Sequence, residues 1–508
     1  MDRKPWNEPY LTDMDLRSFI AGHFWQILAS ISILYVARKV VLYHRLRKFP
    51  GPPLTGFTDF FHNKAFIGGR CYEWYTHASE TYGSIVRVGP NTLITSSPDV
   101  WTHVNIKPAY KRSNWYYRAL RIEHGRDHIF SQTDNYKHGQ RRKQMAPAYS
   151  GKENPELEPA IDARLRDLLN LIRSKYLSTE TRVVPMDLAK KVQFFTLDVI
   201  STIGLGKCFG MLENDTDVSN YAESSEKGLH ASGVAIGLGF GLIAQLPWIG
   251  KFIAPSPKDC TGFGKMMGTC FRYVDERAAK PFDTPSDMLA SFMRHGLTHE
   301  ELRSEALEQV FAGSDNTATA IRGSLLYIMT NPRVYRKLQR EIDEAVQTGI
   351  SSENSSRIVS YAQAKRLPYL QAVIREGIRT FTPAVNTFPR DVPPGGDTVI
   401  VDGKLVFLPG GTCIGYSGQA MHHDKAVYGE DAKSFRPERW FEKDPEKLAA
   451  MIKTNDLVFG HGNWQCLGKP VAYNEINKII FEVNVTGNPK ALRTIRNLTN
   501  VFVVTEKF

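Results

Sequence analysis

Of the six cysteines in the chain, Cys466 has neighbours that suit it to chemistry. It lies in Phe459-Gly460-His461-Gly462-Asn463-Trp464-Gln465-Cys466-Leu467-Gly468-Lys469-Pro470. An apolar helical pattern follows through Val471, Ile476, Ile479, Ile480 and Val483, so the thiol stands just before a helix start. The dipole and free amides there are expected to lower its pKa and favour thiolate, the form that binds metal. Gly462 and Gly468 leave room for a flat ligand on either side of the loop. A structural cysteine buried in a turn is the competing reading, and the glycine spacing speaks against it.

A second chemically suggestive stretch is Ala312-Gly313-Ser314-Asp315-Asn316-Thr317. It falls in the middle of a long helical pattern that begins at Thr298, with Glu301 completing a capping box, and stops before Asn331-Pro332. Glycine and a run of short polar residues oppose helix formation. A local rule broken inside an otherwise consistent element suggests a functional site. Gly313 would let a flat ligand approach the backbone, while Asp315 and Thr317 would flank one groove. A kinked helix with a solvated polar patch explains the residues equally well.

Glu376 and Arg379 lie at i,i+3 on a helical stretch, Leu370 to Arg379. Arg439, in Phe435-Arg436-Pro437-Glu438-Arg439-Trp440, could close a network with them, because a planar guanidinium suits a buried bidentate carboxylate. Such a network would lock the chain without doing chemistry.

The elements that must position these residues belong to a chain of globular composition. It has 508 residues, 42% hydrophobic and 23% charged, with a net charge of +11. Neither a zinc spacing nor a disulfide framework is visible among the widely separated cysteines, which suits a reducing compartment. No nucleic-acid signature accompanies the positive charge. Phe19 to Ala37 is apolar apart from His23 and a few polar residues, close to the roughly 20 residues needed to span a bilayer. Arg38, Lys39, Arg45, Arg47 and Lys48 follow, placing the rest of the chain in the cytosol. An interfacial helix is the alternative. Phe49-Pro50-Gly51-Pro52-Pro53 then forms a stiff elbow. The expected organisation is a short lumenal N-terminus (1–18), a transmembrane anchor (19–37), a basic and proline-rich hinge (38–55) and one catalytic domain (56–508).

Taken in order, A-G-x-D-x-T at Ala312–Thr317, E-x-x-R at Glu376–Arg379, P-E-R-W at Pro437–Trp440 and F-x-x-G-x-x-x-C-x-G at Phe459–Gly468 resemble the cytochrome P450 family. More narrowly, the resemblance is to its fungal microsomal branch of specialised metabolism, the pisatin-demethylase-like group. It covers the chain from about Pro50 onward. It implies a mainly α fold with a small β-rich region, and haem b with Cys466 as axial iron ligand. Asp315 and Thr317 would guide protons on the distal side. Phe459 and Gly313 would pack against the haem, and His138, Arg142 and Arg390 would hold its propionates. Trp115–Tyr117, Leu229–Ile249 and Thr382–Thr387 would line the pocket, with glycines making the middle stretch a mobile lid.

This chain departs from the family in three places. Trp464 replaces the Arg or His usual two residues before the cysteine, which leaves that propionate to a weaker hold or to His461. Asn316 replaces the first threonine of a pair, and Thr317 is kept. After Phe481-Glu482-Val483 the chain passes quickly into Asn484-Val485-Thr486-Gly487-Asn488-Pro489, shorter than the family pattern, before a final strand at Val501–Val504.

The resemblance further implies oxygen-dependent oxidation of a hydrophobic small molecule. Electrons would come from NADPH through a membrane-bound cytochrome P450 reductase, with cytochrome b5 as a second donor. The protein would be a monomer in the endoplasmic reticulum membrane. A haem-dependent isomerase or peroxygenase, and a non-catalytic haem-binding membrane protein, are the competing functions. Substrate and regiochemistry are not legible.

Overall fold

A computed structural model describes residues 16–179, 181–280, 287–349 and 358–485. The expected strand at Val501–Val504 lies outside the described residues, as does the turn from Thr486 on. Helices dominate, with a five-stranded sheet in the order β1-β2-β7-β4-β3 and a separate β5–β6 hairpin. The strands are β1 (Ile85–Gly89), β2 (Thr92–Thr95), β3 (Lys111–Arg112), β4 (Arg390–Asp391), β5 (Asp397–Val401), β6 (Lys404–Leu408) and β7 (Cys413–Tyr416). Short β3 and β4 matter most here, because their register sets Arg112 directly opposite Arg390.

The central helix runs His299–Thr330 and opens with the expected capping box between Thr298 and Glu301. It packs against the helices Leu188–Leu205, Gly262–Ala278, Pro368–Thr380 and Lys469–Val485. Together they bury one large apolar core, in which Phe195, Val310, Ile321, Val373 and Ile479 are inaccessible. A smaller cluster including Trp101, Tyr110, Ile414 and Tyr416 lies beside the sheet.

The N-terminal helix extends Leu16–Leu46 and takes in Arg38, Lys39 and Arg45 of the basic cluster expected to follow it. Trp25, Ile31, Leu34 and Val36 stand exposed on it, and its His23–Leu46 part is long and apolar enough to cross a membrane. Its last turns are tied to the body by Arg87 of β1. That buried guanidinium donates to the carbonyls of Leu42, Tyr43, Gly56, Gly89 and Pro90 at 2.8–3.2 Å. Five carbonyls satisfy one cation, so the anchor docks on the sheet.

The buried network forms as expected. The Glu376 carboxylate accepts from Arg379 Nε and Nη2 at 2.9 and 2.8 Å and from Arg439 Nε at 2.9 Å. Trp440 Nε1 adds a bond at 3.0 Å and the Arg436 amide one at 2.8 Å. Arg379 and Arg439 direct further donors to backbone carbonyls such as His422 and Ser434, and Arg439 Nη1 also donates to Asp431 Oδ1 at 3.2 Å. This ties the helix Pro368–Thr380 to the irregular chain that leads toward the cysteine loop.

Candidate active site around Cys466

Cys466 lies three residues ahead of the helix Lys469–Val485. Its amide donates to the Phe459 carbonyl at 2.7 Å, closing the loop into a tight ring. Gly460 and Gly462 adopt positive φ, +72° and +60°, within it. Cys466 is exposed, while protein atoms crowd its sulfur closely. Burial raises its pKa, and this outweighs the lowering by the amides of Gly468 and Lys469 and by Arg142. The expected acidifying effect of the helix start is present but loses to desolvation. A bound metal cation would have to supply the charge that keeps this sulfur ionised.

Around Trp464 four basic side chains converge. The rings of His138 and Trp464 lie 4.3 Å apart. The guanidinium carbons of Arg112 and Arg390 lie 4.4 and 5.1 Å from the Trp464 ring. Arg142, one turn past His138 on the helix Asn135–Tyr149, donates to the carbonyl of Gln465. Arg112 donates to the carbonyls of Ile129 and Phe130, both at 2.7 Å. Arg390 donates to the Phe388 carbonyl, the Tyr117 hydroxyl and Asn105 Oδ1. Both keep a buried Nε without a partner.

Among the described residues, no carboxylate hydrogen-bonds to these three arginines. Glu308 approaches but does not neutralise them. Burial pushes its pKa up to about 8, and it meets His128 Nδ1 at 3.4 Å, an imidazole that burial holds down at about 4. Burial, with Arg112, Arg142 and Arg390 nearby, drives His138 down to about 2. Like charges directly opposite across a strand pair are destabilising, and buried unpaired cations are costly. The cluster therefore suits an anionic ligand beside the exposed cysteine. Haem, a flat iron macrocycle with two propionates, fits this donor set.

Arg112 was not singled out from the sequence. It sits on a two-residue strand, and its place beside Arg390 depends on a pairing between distant parts of the chain. It stands where Trp464 leaves a cation missing, the role expected of His461. Tyr116 and Tyr117 are buried, so Tyr117 supports the two arginines and does not line a pocket.

The central helix crosses this site along one face. Glu305 pairs with Arg141 and accepts the Ile129 amide at 3.1 Å, and Glu308 meets His128. Further along the same face a Cβ on Gly323 would fall 2.7 Å from Phe381. Between these points Ala312 and Asn316 are exposed, although the helix is packed on its other sides.

The remaining expected residues lie elsewhere. A Cβ on Gly313 would meet Ile200 at 2.9 Å, so this glycine serves close packing of two helices and not approach of a ligand. Ser314 and Thr317 are buried. Asp315 accepts from Gln193 Nε2 at 2.8 Å and from Ser225 Oγ at 3.1 Å, partners on two other helices. Burial raises its pKa. The structure does not bring Asp315 and Thr317 together on the face turned to the cysteine loop.

A family model described as Cytochrome P450 matches residues 50–483. The chain belongs to the cytochrome P450 family. It is 38% identical over 476 residues to cytochrome P450 monooxygenase ABA1 of Pyricularia oryzae, covering 91% of each chain. It is 36% identical to cytochrome P450 monooxygenase aba1 of Botryotinia fuckeliana, covering 86% of this chain and 85% of that one. Cytochrome P450 monooxygenase abl1 of Leptosphaeria maculans is 32% identical over 91% of this chain and 82% of its own. The activity class of this P450 is haem-thiolate monooxygenase, an oxidoreductase.

Proposed function

We propose that this P450 oxidises a hydrophobic small molecule of fungal specialised metabolism, with electrons passed from NADPH by a membrane-bound reductase and, as a second donor, cytochrome b5. The observation that carries the site assignment is the exposed Cys466 beside a cluster of arginines to which no carboxylate of the described residues hydrogen-bonds. Cys466 would bind the iron, with Phe459 fixing its loop. His138, Arg142, Arg390 and Arg112 would hold the propionates. Haem iron with a thiolate ligand activates dioxygen, placing one oxygen atom in the substrate and releasing the other as water.

The chain's own residues bind and exclude. The arginines fix the orientation of the macrocycle, and the enclosing helices keep bulk water from the reaction. Buried Asp315 keeps its carboxyl one position from the inward face, where it can hold a proton. Phe381 and the segment that follows it border the substrate side.

Two apolar surfaces support anchoring in the endoplasmic reticulum membrane, with the catalytic domain cytosolic and monomeric. One is the N-terminal helix. The other carries Trp248 and Phe252, 86% and 88% exposed. Lipophilic substrates concentrate at such a surface.

The test is a carbon monoxide difference spectrum of the reduced, membrane-purified protein. A thiolate band is expected, and Cys466→Ala should abolish it; an imidazole-type band or no bound haem would refute the reading. Product formation that needs NADPH and reductase would separate monooxygenation from isomerase or peroxide-driven chemistry.

A further inference from the structure

Arg112 and Arg390 face each other across β3 and β4, and both are buried, 6% and 3% exposed. Their hydrogen bonds go to backbone carbonyls, the Tyr117 hydroxyl and Asn105 Oδ1, all uncharged acceptors. Burial lowers the Arg112 pKa to about 9, which leaves it a cation at neutral pH. Two adjacent buried cations repel, so some source of negative potential must hold them.

Aromatic rings supply it. The guanidinium carbon of Arg112 lies over the rings of Trp464, Tyr117 and Phe130, at 4.4, 4.8 and 5.4 Å. That of Arg390 lies over Trp464, Tyr117 and Trp101, at 5.1, 5.5 and 5.7 Å. Trp464 and Tyr117 are shared by both cations, and Trp464 is the nearest of these rings to each. A ring face carries negative potential and attracts a guanidinium without accepting its N–H groups in the way a carboxylate does. A carboxylate in this position would neutralise the arginines and compete with an anionic ligand, whereas a ring steadies them and leaves their charge in force. Tyr117 also engages Arg390 through its hydroxyl. Trp464 has no acceptor atom, so toward the arginines it acts through its face. His138, whose ring lies 4.3 Å from that of Trp464, is held neutral by burial and by the arginines and adds no charge.

We propose that Trp464 is a positioning residue of the haem site, whose ring face holds the Arg112 and Arg390 guanidiniums in place for an anionic ligand. Where the family pattern has a cation of its own, this chain has a neutral plate between two others. The inference rests on the haem-thiolate reading given above. It also makes the family's usual arginine a poor replacement here, because a further cation at this position would repel the two that Trp464 holds.

The experiment measures transfer of haem from the holoprotein to excess apomyoglobin, by Soret absorbance at fixed ionic strength. Trp464→Phe keeps a ring face and should release haem within about threefold of the unsubstituted protein. Trp464→Leu, close to phenylalanine in bulk but without a face, should release it roughly 5- to 30-fold faster than Trp464→Phe through loss of two cation–π contacts. In an Arg112→Gln background that difference should shrink to roughly 2- to 6-fold, the share of Arg390 alone. Trp464→Arg should release haem faster than Trp464→Phe. Equal rates for Trp464→Phe and Trp464→Leu, as a mere space-filling role requires, would overturn the proposal. So would a Phe-to-Leu difference unchanged by Arg112→Gln, or a Trp464→Arg protein that keeps haem as well as the unsubstituted one. If Trp464→Leu gives no holoprotein, the order of Trp464→Phe and Trp464→Arg decides. Absence of a thiolate carbon monoxide band from the unsubstituted protein would instead overturn the reading beneath it.

Discussion

Arg112→Gln isolates the contribution of one cation to cofactor retention. Glutamine keeps a polar amide but is two bonds shorter, so it removes the charge together with the Nη1 bonds to the carbonyls of Ile129 and Phe130, now at 2.7 Å. Arg112 is 6% exposed, so screening by water is slight. A charge-assisted hydrogen bond contributes about 1.5–3 kcal/mol. At about 1.4 kcal/mol per factor of ten, its loss should speed haem release roughly 10- to 150-fold. The assay is transfer of haem to excess apomyoglobin, followed by Soret absorbance at fixed ionic strength. Arg141→Gln is the control, because Arg141 is committed to Glu301 and Glu305. Release from Arg112→Gln within about twofold of the unsubstituted protein, well below the charge-assisted estimate, would refute the claim that the cluster of arginines exists to bind an anion. A change confined to thermal stability, with release unaltered, would refute it equally.

Glu308 gives a pH dependence of definite sign. Its folded pKa, about 8, lies above the usual carboxylate value. The stability it confers is full below about pH 4.5, the ordinary carboxylate value, and is lost as pH rises through about 8. Glu308→Gln should flatten the fall of the thermal midpoint across that window, by up to about 1.4 kcal/mol per pH unit for one proton; parallel curves would contradict the buried neutral carboxyl. Glu376→Ala leaves Arg379 as a buried unpaired cation and Arg439 with Asp431 as its remaining carboxylate partner, and should cost about 3–5 kcal/mol, read as loss of folded holoprotein on expression; normal yield and midpoint would count against the network. Gly313→Ala should destabilise by about 1–3 kcal/mol through overpacking, with Ile200→Val restoring much of it and the haem spectrum unchanged throughout. An altered spectrum without loss of stability would return Gly313 to the ligand face.

Much of the architecture could be read from local signals. The capping box at Thr298, the terminator at Asn331-Pro332, the glycine-lined cysteine turn and the apolar N-terminal run each act over a few residues. The Glu376 network was accessible because arginine and carboxylate geometry restrict the partners. What escaped depended on packing between distant segments. Arg112 acquires its role through a two-residue strand pairing. The phase of the polar stretch in the central helix could not be chosen, since residues 314–317 offer a polar group in nearly every direction. Only burial of Thr317 and capture of Asp315 by Gln193 and Ser225 decide it. At Cys466 two effects oppose each other: the helix end is a local feature that lowers the thiol pKa, whereas desolvation, which sums over every neighbour, raises it.

Arg87 joins the membrane-facing part of the chain to its chemistry. With five carbonyls gripping one guanidinium, two of them from the closing turns of the N-terminal helix, the tether ends in a rigid joint and not a swivel. Tilt of the helix in lipid is handed to the sheet, and through β2 and β7 to β4 and Arg390. Were the helix to span a bilayer as proposed, the height and angle of the catalytic body above it would follow from this one interior cation. A greasy compound diffusing sideways in the leaflet would meet the protein at a constant aspect, without first having to dissolve in water.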